Sequence, residues 1–432
     1  MARRIEQVVP TVPVVADDGH HPGLLVWESQ IRVITPLFGG GTTPGATDPV
    51  TVVRPSSIRG HLRFWWRATQ GAQFRTAAEL RKQEDTIWGS VETPSQVIVE
   101  VPEIHAGRLE ACATFPPDKT FPKFAPGYPP YALFPFQGNK REGIAPAMAR
   151  RDVEFMLTVR YRPQHRNEVF AALWAWTNFG GIGARTRRGC GALVCEASAP
   201  KSPGIVPKWW ATTSKFLKMP PAENGPEWAR MQRAPMMAPA AASPMAAWEA
   251  AVGLMREFRQ GENVGRNRGT APNRPGRSRW PEADSLRGIT GEGEDRHLPG
   301  ITTEEPAFPR AELGLPIVFH FKDPLDSPNN SELYPQRTPE SHRMASPVIV
   351  RPFGIWGRPE AFPMVLVLTT PGPEDLQLRF EDGTTSPKVG PAEVRRPDLA
   401  TYEASPMAGR SQAGSALEAF EAFANSKGYR GL

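Results

Sequence analysis

The sequence is poor in cysteine, with only three in 432 residues: Cys112, Cys190 and Cys195. None of them forms a Cys-x-x-Cys pair, and three cysteines cannot build a full disulfide framework. We therefore expect a cytoplasmic protein that works in a reducing compartment.

Long hydrophobic runs are absent as well. No stretch approaches the roughly 18 continuous apolar residues that a membrane-spanning helix needs. Residues 1–15 contain two arginines but neither the apolar core nor the small-residue cleavage site of a secretory signal. These absences exclude a membrane span and are consistent with a cytoplasmic location.

Lysine is scarce, whereas arginine is abundant. The chain has 11 lysines and 40 arginines, and its net charge is +6. The planar guanidinium matches phosphate oxygens and stacks on bases, so an arginine excess fits a nucleic-acid partner. A GC-rich genome explains the same excess, and the positions of the arginines must decide.

Proline and glycine are plentiful, at 48 and 39 residues. This content predicts long ordered loops and short helices. Hydrophobic residues make up 40% and charged residues 22%, which argues for a folded chain with room for two or three domains.

The periodicity of apolar residues predicts one complete domain in the first half of the chain. Its elements, in order, are a strand at 24–35, a helix at 56–70, strands at 96–101 and 153–161, a helix at 165–178 and a strand at 192–196. This is the ferredoxin-like order that RNA-recognition modules also use. We assign it to residues 1–235.

The second half mixes the same kinds of element. Residues 197–245 are broken by Pro, Met and Ala and resemble a linker or an irregular insertion. Beyond them we predict helices at 244–259 and 415–426 and strands at 314–323, 346–354 and 362–370. The expected fold is α+β, with two ferredoxin-like (RRM-like) domains, long Pro/Gly-rich insertions and a degenerate second copy at 236–432.

The strongest candidate for binding is a glycine- and arginine-rich loop, Gly180 to Gly191. Its five glycines permit close approach of the backbone to a ligand, and its three arginines add phosphate contacts. It follows a helix, leads into a strand and lacks Gly-Lys-Ser/Thr, which excludes a nucleotide phosphate loop. A simple glycine hairpin is the alternative. The predicted RNA contacts here are Gly180, Gly181, Gly183, Arg185, Thr186, Arg187, Arg188 and Gly189.

A second candidate is the basic helix that begins near Ser56. Arg59, Arg63 and Arg67 recur every four residues and therefore share one face. Apolar residues of the same helix, such as Trp65 and Trp66, should lie in the core. We predict RNA contacts from this stripe and from Arg54, Ser56 and Ser57, with a solvated face as the alternative.

A third candidate is the run from Arg266 to Arg279, which holds five arginines and no acidic residue and ends on Trp280. Such loops often become ordered on a charged partner. We predict RNA contacts from Arg277, Arg279 and Trp280. An uninvolved flexible loop is the alternative.

Catalytic motifs are missing. The eight histidines are scattered, and neither His-Glu-x-x-His nor a deaminase-type zinc motif occurs. His61 on the basic helix is a candidate general base for RNA cleavage, or else a packed or solvated residue. An acidic cluster at 292–295 could hold a metal, or be merely solvated. We expect no catalytic residue, no metal and no cofactor.

The same segments resemble the RAMP superfamily of CRISPR-associated RNA-binding proteins, and more narrowly the family of subunit one of type III-B Cmr effector complexes. The matching motifs are ITPLFGGG (34–41), RPSSIRGHLRFWWRA (54–68), IWGS (87–90), FGGIGARTRRGCGAL (179–193), GRSRWPEADSLRG (276–288), LGLPIVFHFK (313–322) and RMASPVIVRP (343–352). The loop alone is typical of the superfamily. The Arg-Phe-Trp-Trp-Arg helix combined with SRWPE and SPVIVRP indicates the narrower family.

The resemblance implies two ferredoxin-like domains and a place at one end of a guide-RNA-bound filament, near the 3′ part of the CRISPR RNA. It implies that the chain binds CRISPR RNA and target RNA, joins other Cmr subunits including a neighbouring RAMP subunit, and does not itself cut RNA. Two alternatives remain: an endoribonuclease that matures the CRISPR RNA precursor with His61 as base, and a scaffold whose arginines contact acidic proteins. The insertion at 197–245 and the tail after 370 depart from the family pattern.

Overall fold

The computed structural model describes residues 23–41, 46–48, 50–220, 227–270, 276–292, 306–321, 328–336, 343–385, 389–402 and 404–432. Arg274, Glu294 and Asp295 lie outside these residues. Among the helices of the described ranges, none is both long enough and apolar enough to cross a membrane.

The described residues form sixteen strands and nine α-helices. The strands are β1 (Leu25–Val33), β2 (Val97–Glu100), β3 (Ile104–His105), β4 (Arg108–Ala111), β5 (Ala113–Thr114), β6 (Lys123–Phe124), β7 (Met148–Arg151), β8 (Glu154–Tyr161), β9 (Leu193–Cys195), β10 (Met236–Met237), β11 (Ile317–Phe319), β12 (Ser331–Pro335), β13 (Val348–Gly354), β14 (Ala361–Val367), β15 (Leu376–Phe380) and β16 (Arg430–Gly431). The helices are α1 (Pro55–Ala68), α2 (Ala77–Trp88), α3 (Pro130–Leu133), α4 (Arg166–Phe179), α5 (Val206–Thr213), α6 (Pro244–Gln260), α7 (Glu282–Thr290), α8 (Pro391–Val394) and α9 (Ala416–Ser426).

The first half of the chain forms an antiparallel sheet with the strand order β2-β8-β1-β9. Its elements follow one another as β1, α1, β2, β8, α4 and β9, the predicted succession of strand, helix, two strands, helix and strand. In the central pair, Leu25 lies opposite Tyr161 and Arg32 opposite Glu154. Counted along the chain, the strands are therefore arranged second, third, first, fourth.

The two helices of this half begin and pack for reasons visible in their sequences. Pro55 occupies the first turn of α1, where a missing N–H costs nothing. Leu62, Trp65 and Trp66 form its buried face. Helix α4 is buried on nearly all sides from Val169 onwards, as expected for a helix packed between other elements.

The second half repeats this arrangement. Its main sheet has the order β13-β14-β10-β16, and its elements follow as β10, α6, β13, β14, α9 and β16. Both helices have serine N-caps: Ser243 accepts from the N–H of Ala246 at 3.2 Å, and Ser415 accepts from that of Glu418 at 3.4 Å. The neighbours in this sheet are again second, third, first, fourth. The fold is α+β.

Smaller sheets are inserted into both halves. Strands β4 and β7 pair with each other, as do β5 and β6, in the segment between β2 and β8. In the second half, β11, β12 and β15 form a separate three-stranded sheet. These insertions account for much of the Pro- and Gly-rich sequence.

The two halves share a core. Ile349, Phe353 and Leu366 of the second sheet belong to the same apolar cluster as Trp176 and Phe179 of α4. Burial of side chains this large contributes roughly 2 kcal/mol or more each. The halves are therefore packed against each other through a continuous apolar interface.

The interpretation of residues 197–245 as a linker is wrong for α5. Trp209 and Trp210 of this helix lie with their ring centroids 6.1 and 6.0 Å from that of Trp174. Trp209 also contacts Phe353 of the second half, at 5.3 Å between ring centroids. The aromatic residues of this segment fill the junction between the halves, and their burial outweighs the local helix-breaking composition.

Candidate nucleic-acid interface

The glycine- and arginine-rich loop follows α4 and leads into β9, as predicted. It contains a short turn of 3₁₀-helix at Thr186–Arg188. The residues at its two ends, Arg185 and Gly189, have left-handed backbone conformations with φ of 57° and 78°.

The glycines of the loop approach the protein's own chain rather than an open surface. A Cβ atom at Gly183 would lie 2.5 Å from the carbonyl oxygen of Phe38, and one at Gly189 would lie 2.6 Å from Cδ1 of Trp248. Gly180, Gly181 and Gly189 are buried. Internal packing accounts for the absence of side chains at these three positions, and their predicted RNA contacts stay a prediction.

Two of the three loop arginines are used to hold the second half of the chain. Arg187 donates to the backbone carbonyl of Ser346. Arg188 donates from Nη1 to that of Val348 at 2.9 Å. Burial lowers the pKa of Arg188 to about 10. Both guanidinium groups therefore donate to backbone carbonyls beside β13, and the predicted RNA contacts of Arg187 and Arg188 stay a prediction.

The arginine stripe of α1 faces another helix. Glu84 of α2, almost fully buried, lies 2.6 Å from Nε of Arg63 and 3.3 Å from Nη1 of Arg67. Arg59 donates to the carbonyl of Trp88, at the end of α2. The stripe therefore faces α2, where one buried carboxylate offsets part of its positive charge. The predicted RNA contacts of Arg59, Arg63 and Arg67 stay a prediction.

The N-terminal end of α1 differs from the rest of the stripe. Arg54 is ion-paired with Asp48, and hydrogen bonds from the backbone N–H of Thr51 and from Arg54 lower the pKa of Asp48 to about 2. Ser56 and Ser57 are exposed. Their predicted RNA contacts stay a prediction, whereas Arg54 already has an anionic partner.

The run from Arg266 to Arg279 folds back on itself. The N–H of Asn267 donates to the carbonyl of Arg277 at 2.8 Å. Arg277 forms an ion pair of 2.5 Å with Asp284, and Arg279 donates to the carbonyl of Ala404 at 2.7 Å. Both guanidinium groups have partners within the chain, and the predicted RNA contacts of Arg277 and Arg279 stay a prediction.

Trp280, at the end of this run, is part of the core. Its side chain is fully buried, and its Nε1 donates to the carbonyl of Arg259 at 3.0 Å. No face of the indole reaches the surface of this structure, and the predicted RNA contact of Trp280 stays a prediction.

The structure brings together a different set of arginines, around a cavity of about 730 Å³ that we call the arginine cleft. Arg185 reaches it from the glycine-rich loop, and Arg256 and Arg259 reach it from α6. The arginines that line it are Arg185, Arg188, Arg256, Arg259, Arg266 and Arg310. Among the described residues that line it, none is acidic.

The positive charge in this cleft is largely uncompensated. Arg310 pairs with the buried Glu282 at 3.1 Å. Within the described part of the chain, Arg185, Arg256, Arg259 and Arg266 have no carboxylate within 4 Å. Burial lowers the pKa of Arg185 and of Arg266, and the charge of Arg310 lowers that of Arg266 further. Clustered guanidinium groups in a recess attract an anion, which relieves their mutual repulsion.

Sequence reasoning singled out Arg185, Arg188 and Arg266 but missed Arg256, Arg259 and Arg310. A signal existed: Arg256 and Arg259 lie three residues apart and so share a face of the predicted helix. The position of this face in a binding site could not be predicted, because tertiary packing places it beside a loop some 70 residues earlier in the chain.

The described residues offer little for catalysis. The ring of His61 lies 6.2 Å from that of Trp176 in a stacked arrangement, and burial lowers the pKa of His61. All three cysteines are free and buried. The part of the chain that the structure describes contains no cluster of His, Cys, Asp and Glu suited to a metal ion.

Residues 30–194 match the sequence model of the RAMP superfamily. A relative, CRISPR system Cmr subunit Cmr1-2 of Pyrococcus furiosus, is 29% identical over 179 residues, which are 39% of this chain and 93% of the relative. Among solved structures, Cmr1 of P. furiosus aligns over 86% of this chain and 92% of its own, with 15% identity and a TM-score of 0.44. A chain of the type III-B Cmr-beta complex bound to cognate target RNA aligns over 82% and 96%, with 11% identity and a TM-score of 0.44.

The RAMP match covers the part of the chain that carries the basic helix and the glycine-rich loop, two of the motifs on which the resemblance was based. Together with the Cmr1-2 relative, it confirms that resemblance. Residues 30–194 are thus similar to the RAMP superfamily, and the chain is similar to the CRISPR system Cmr subunit Cmr1-2 of Pyrococcus furiosus.

Proposed function

We propose that this chain is a non-catalytic RNA-binding subunit of a type III-B CRISPR effector complex, acting in antiviral defence. The observation that carries the proposal is the arginine cleft, which lies at the edge of the glycine- and arginine-rich loop. None of the described residues that line this cavity is acidic. Four of its arginines have no carboxylate partner among the described residues, which leaves their bidentate donors available to phosphate oxygens. CRISPR RNA and target RNA are the proposed ligands.

The two halves of the chain are proposed to be two ferredoxin-like domains, residues 1–235 and 236–432. The support is their common succession of elements and their common strand order. The second copy is degenerate because β10 and β16 are only two residues long each. The cleft then lies where the loop of the first copy meets α6 of the second.

By its resemblance to Cmr first subunits, the chain is proposed to sit at the end of a cytoplasmic effector complex near the 3′ part of the CRISPR RNA, beside a neighbouring RAMP subunit. There it helps to capture target RNA. Exposed positions predicted from the sequence, such as Ser56, Ser57 and Gly183, extend the proposed contact surface beyond the cleft.

The experiment is a salt titration of single-stranded RNA binding. Replacing Arg256 and Arg259 together by Gln should weaken binding roughly tenfold at moderate salt. It should also reduce the slope of log K against log salt by about 1.4, which corresponds to two lost phosphate contacts. A matched control replaces Arg75 and Arg358, both exposed and outside the cleft, by Gln. An unchanged affinity and slope in the cleft variant would refute the assignment.

A further inference from the structure

The arginine cleft has an apolar wall as well as charges. Phe134 and Val318 both line it, and they are 69% and 68% exposed. Large apolar side chains this exposed are informative when they adjoin a polar recess. A phosphate backbone has no apolar surface that could pack against a phenyl ring. We therefore expect the ligand to have a second part that is flat and apolar.

We propose that the cleft binds a single unpaired nucleotide, with its phosphate among the arginines and its base against Phe134. This deepens the proposed function and rests on it for the identity of the polymer. An A-form duplex hides its base faces in the stack, whereas unpaired bases are available to aromatic side chains. The volume of about 730 Å³ falls within the range of pockets that enclose one small ligand.

The segment that carries Phe134 packs beside the loop that carries Arg185. Its neighbour Phe136 stacks on Phe38, with ring centroids 4.6 Å apart and planes 3° from parallel. The carbonyl of Phe38 accepts from the N–H of Ala184 at 2.8 Å, one residue before Arg185. The chain segments that carry Phe134 and Arg185 are therefore connected through Phe38.

Polar groups are also present for the remainder of the nucleotide. Tyr131, Gln137 and Ser278 line the cleft, and their side chains both donate and accept hydrogen bonds. Groups of this kind accept the edge of any base after small adjustments. Recognition by stacking and charge tolerates every base, so we expect little sequence preference.

The test compares binding of a nucleoside 5′-monophosphate with binding of inorganic phosphate to the full chain. The nucleotide should bind about tenfold more tightly than phosphate, because stacking is added to the same charge contacts. Phe134→Ala should remove this preference while leaving phosphate binding unchanged. The matched control is Phe121→Ala, an 81% exposed phenylalanine outside the cleft, which should retain the preference.

A fluorescent 2-aminopurine placed at each position of a single-stranded RNA distinguishes an RNA end from an internal nucleotide. Quenching confined to a terminal position would indicate an RNA end, whereas quenching spread over internal positions would indicate an internal nucleotide. In either case it should disappear in Phe134→Ala. Equal binding of nucleotide and phosphate, or quenching that is uniform along the RNA and indifferent to Phe134, would overturn this inference alone. RNA affinity and salt dependence that do not change when Arg256 and Arg259 are replaced would instead overturn the proposed function, whatever the nucleotide measurement gives.

Discussion

Arg351, at the centre of β13, donates from Nη2 to the backbone carbonyl of Leu193 in β9 at 2.6 Å. The same guanidinium donates to the carbonyls of Gly180 and Pro352, and its side chain is fully buried. Burial lowers the pKa of Arg351 to about 9. One arginine of the second half thus donates hydrogen bonds to carbonyls at both ends of the glycine- and arginine-rich loop. The conformation of this loop therefore depends on a residue outside residues 30–194.

Replacing Arg351 by Met should lower the free energy of unfolding by about 2–4 kcal/mol, because buried carbonyls lose their donor and gain none. Thermal or urea unfolding would measure the change. Arg358→Met, at an exposed position, is the control and should change stability by less than about 0.5 kcal/mol. Equal stabilities for the two variants would show that Arg351 does not join the halves.

Gly189→Ala should destabilise the chain by about 2 kcal/mol or more, since its φ is 78° and the new Cβ would lie 2.6 Å from Trp248. Gly253→Ala provides a control of opposite sign. Gly253 lies within α6, and no atom lies within 4 Å of the position that an added Cβ would take, so alanine should stabilise by about 0.5–1 kcal/mol. Both changes are measured by denaturant unfolding. A loss of stability in Gly253→Ala without one in Gly189→Ala would contradict the packing described.

Much of the architecture could be predicted because periodicity is a local property of the sequence. The alternation in β8 and the buried face of α1 are visible in short windows, so most strands and helices of the two main sheets were located. Helix α2 was missed because its twelve residues are mostly polar. Without α2 there was no Glu84, and the arginine stripe of α1 could be interpreted only as a face for RNA or for water.

The cleft could not be predicted from local patterns. Arg185, Arg256 and Arg310 come from three segments that only tertiary packing brings together. Conversely, Trp280 ends a basic run that looks like a flexible arm, yet the indole is buried with its ring 5.3 Å from that of Phe258. Local charge indicated the kind of ligand, whereas the particular residues depended on long-range contacts.

The ion pairs of α1 give a prediction that separates structure from binding. Replacing Arg63 and Arg67 by Gln should destabilise the fold, because the carboxylate of Glu84, 3% exposed, would lose its partners. RNA affinity and its salt slope should stay close to those of the original chain, measured below the new unfolding temperature. A loss of affinity as large as that of the Arg256 and Arg259 variant would place RNA on α1 after all.

Stability should fall as the pH drops from 7 to 5. Burial lowers the pKa of His61 and of His165 in the folded state, so the unfolded state binds more protons below its ordinary histidine pKa of about 6.5. Stability contributed by the neutral imidazoles is present above that pH and is lost as the pH falls. His61→Asn should show a smaller loss across this range in urea titrations. If the variant and the original chain lost the same stability between pH 7 and 5, His61 would be excluded as a source of the pH dependence.

Incubation of the purified chain with repeat-containing RNA in the presence of a chelator should yield no defined cleavage products. His61 is the one histidine on the basic helix, but its ring lies against Trp176, and the arginines beside it on α1 are paired with α2. A general base needs a substrate hydroxyl within hydrogen-bonding reach and a cation to stabilise the developing charge. Four arginines without a carboxylate partner among the described residues, Arg185, Arg256, Arg259 and Arg266, line the arginine cleft instead. Specific products that disappear in His61→Ala would therefore overturn the non-catalytic assignment, whereas intact RNA bound in a salt-dependent manner is the expected result.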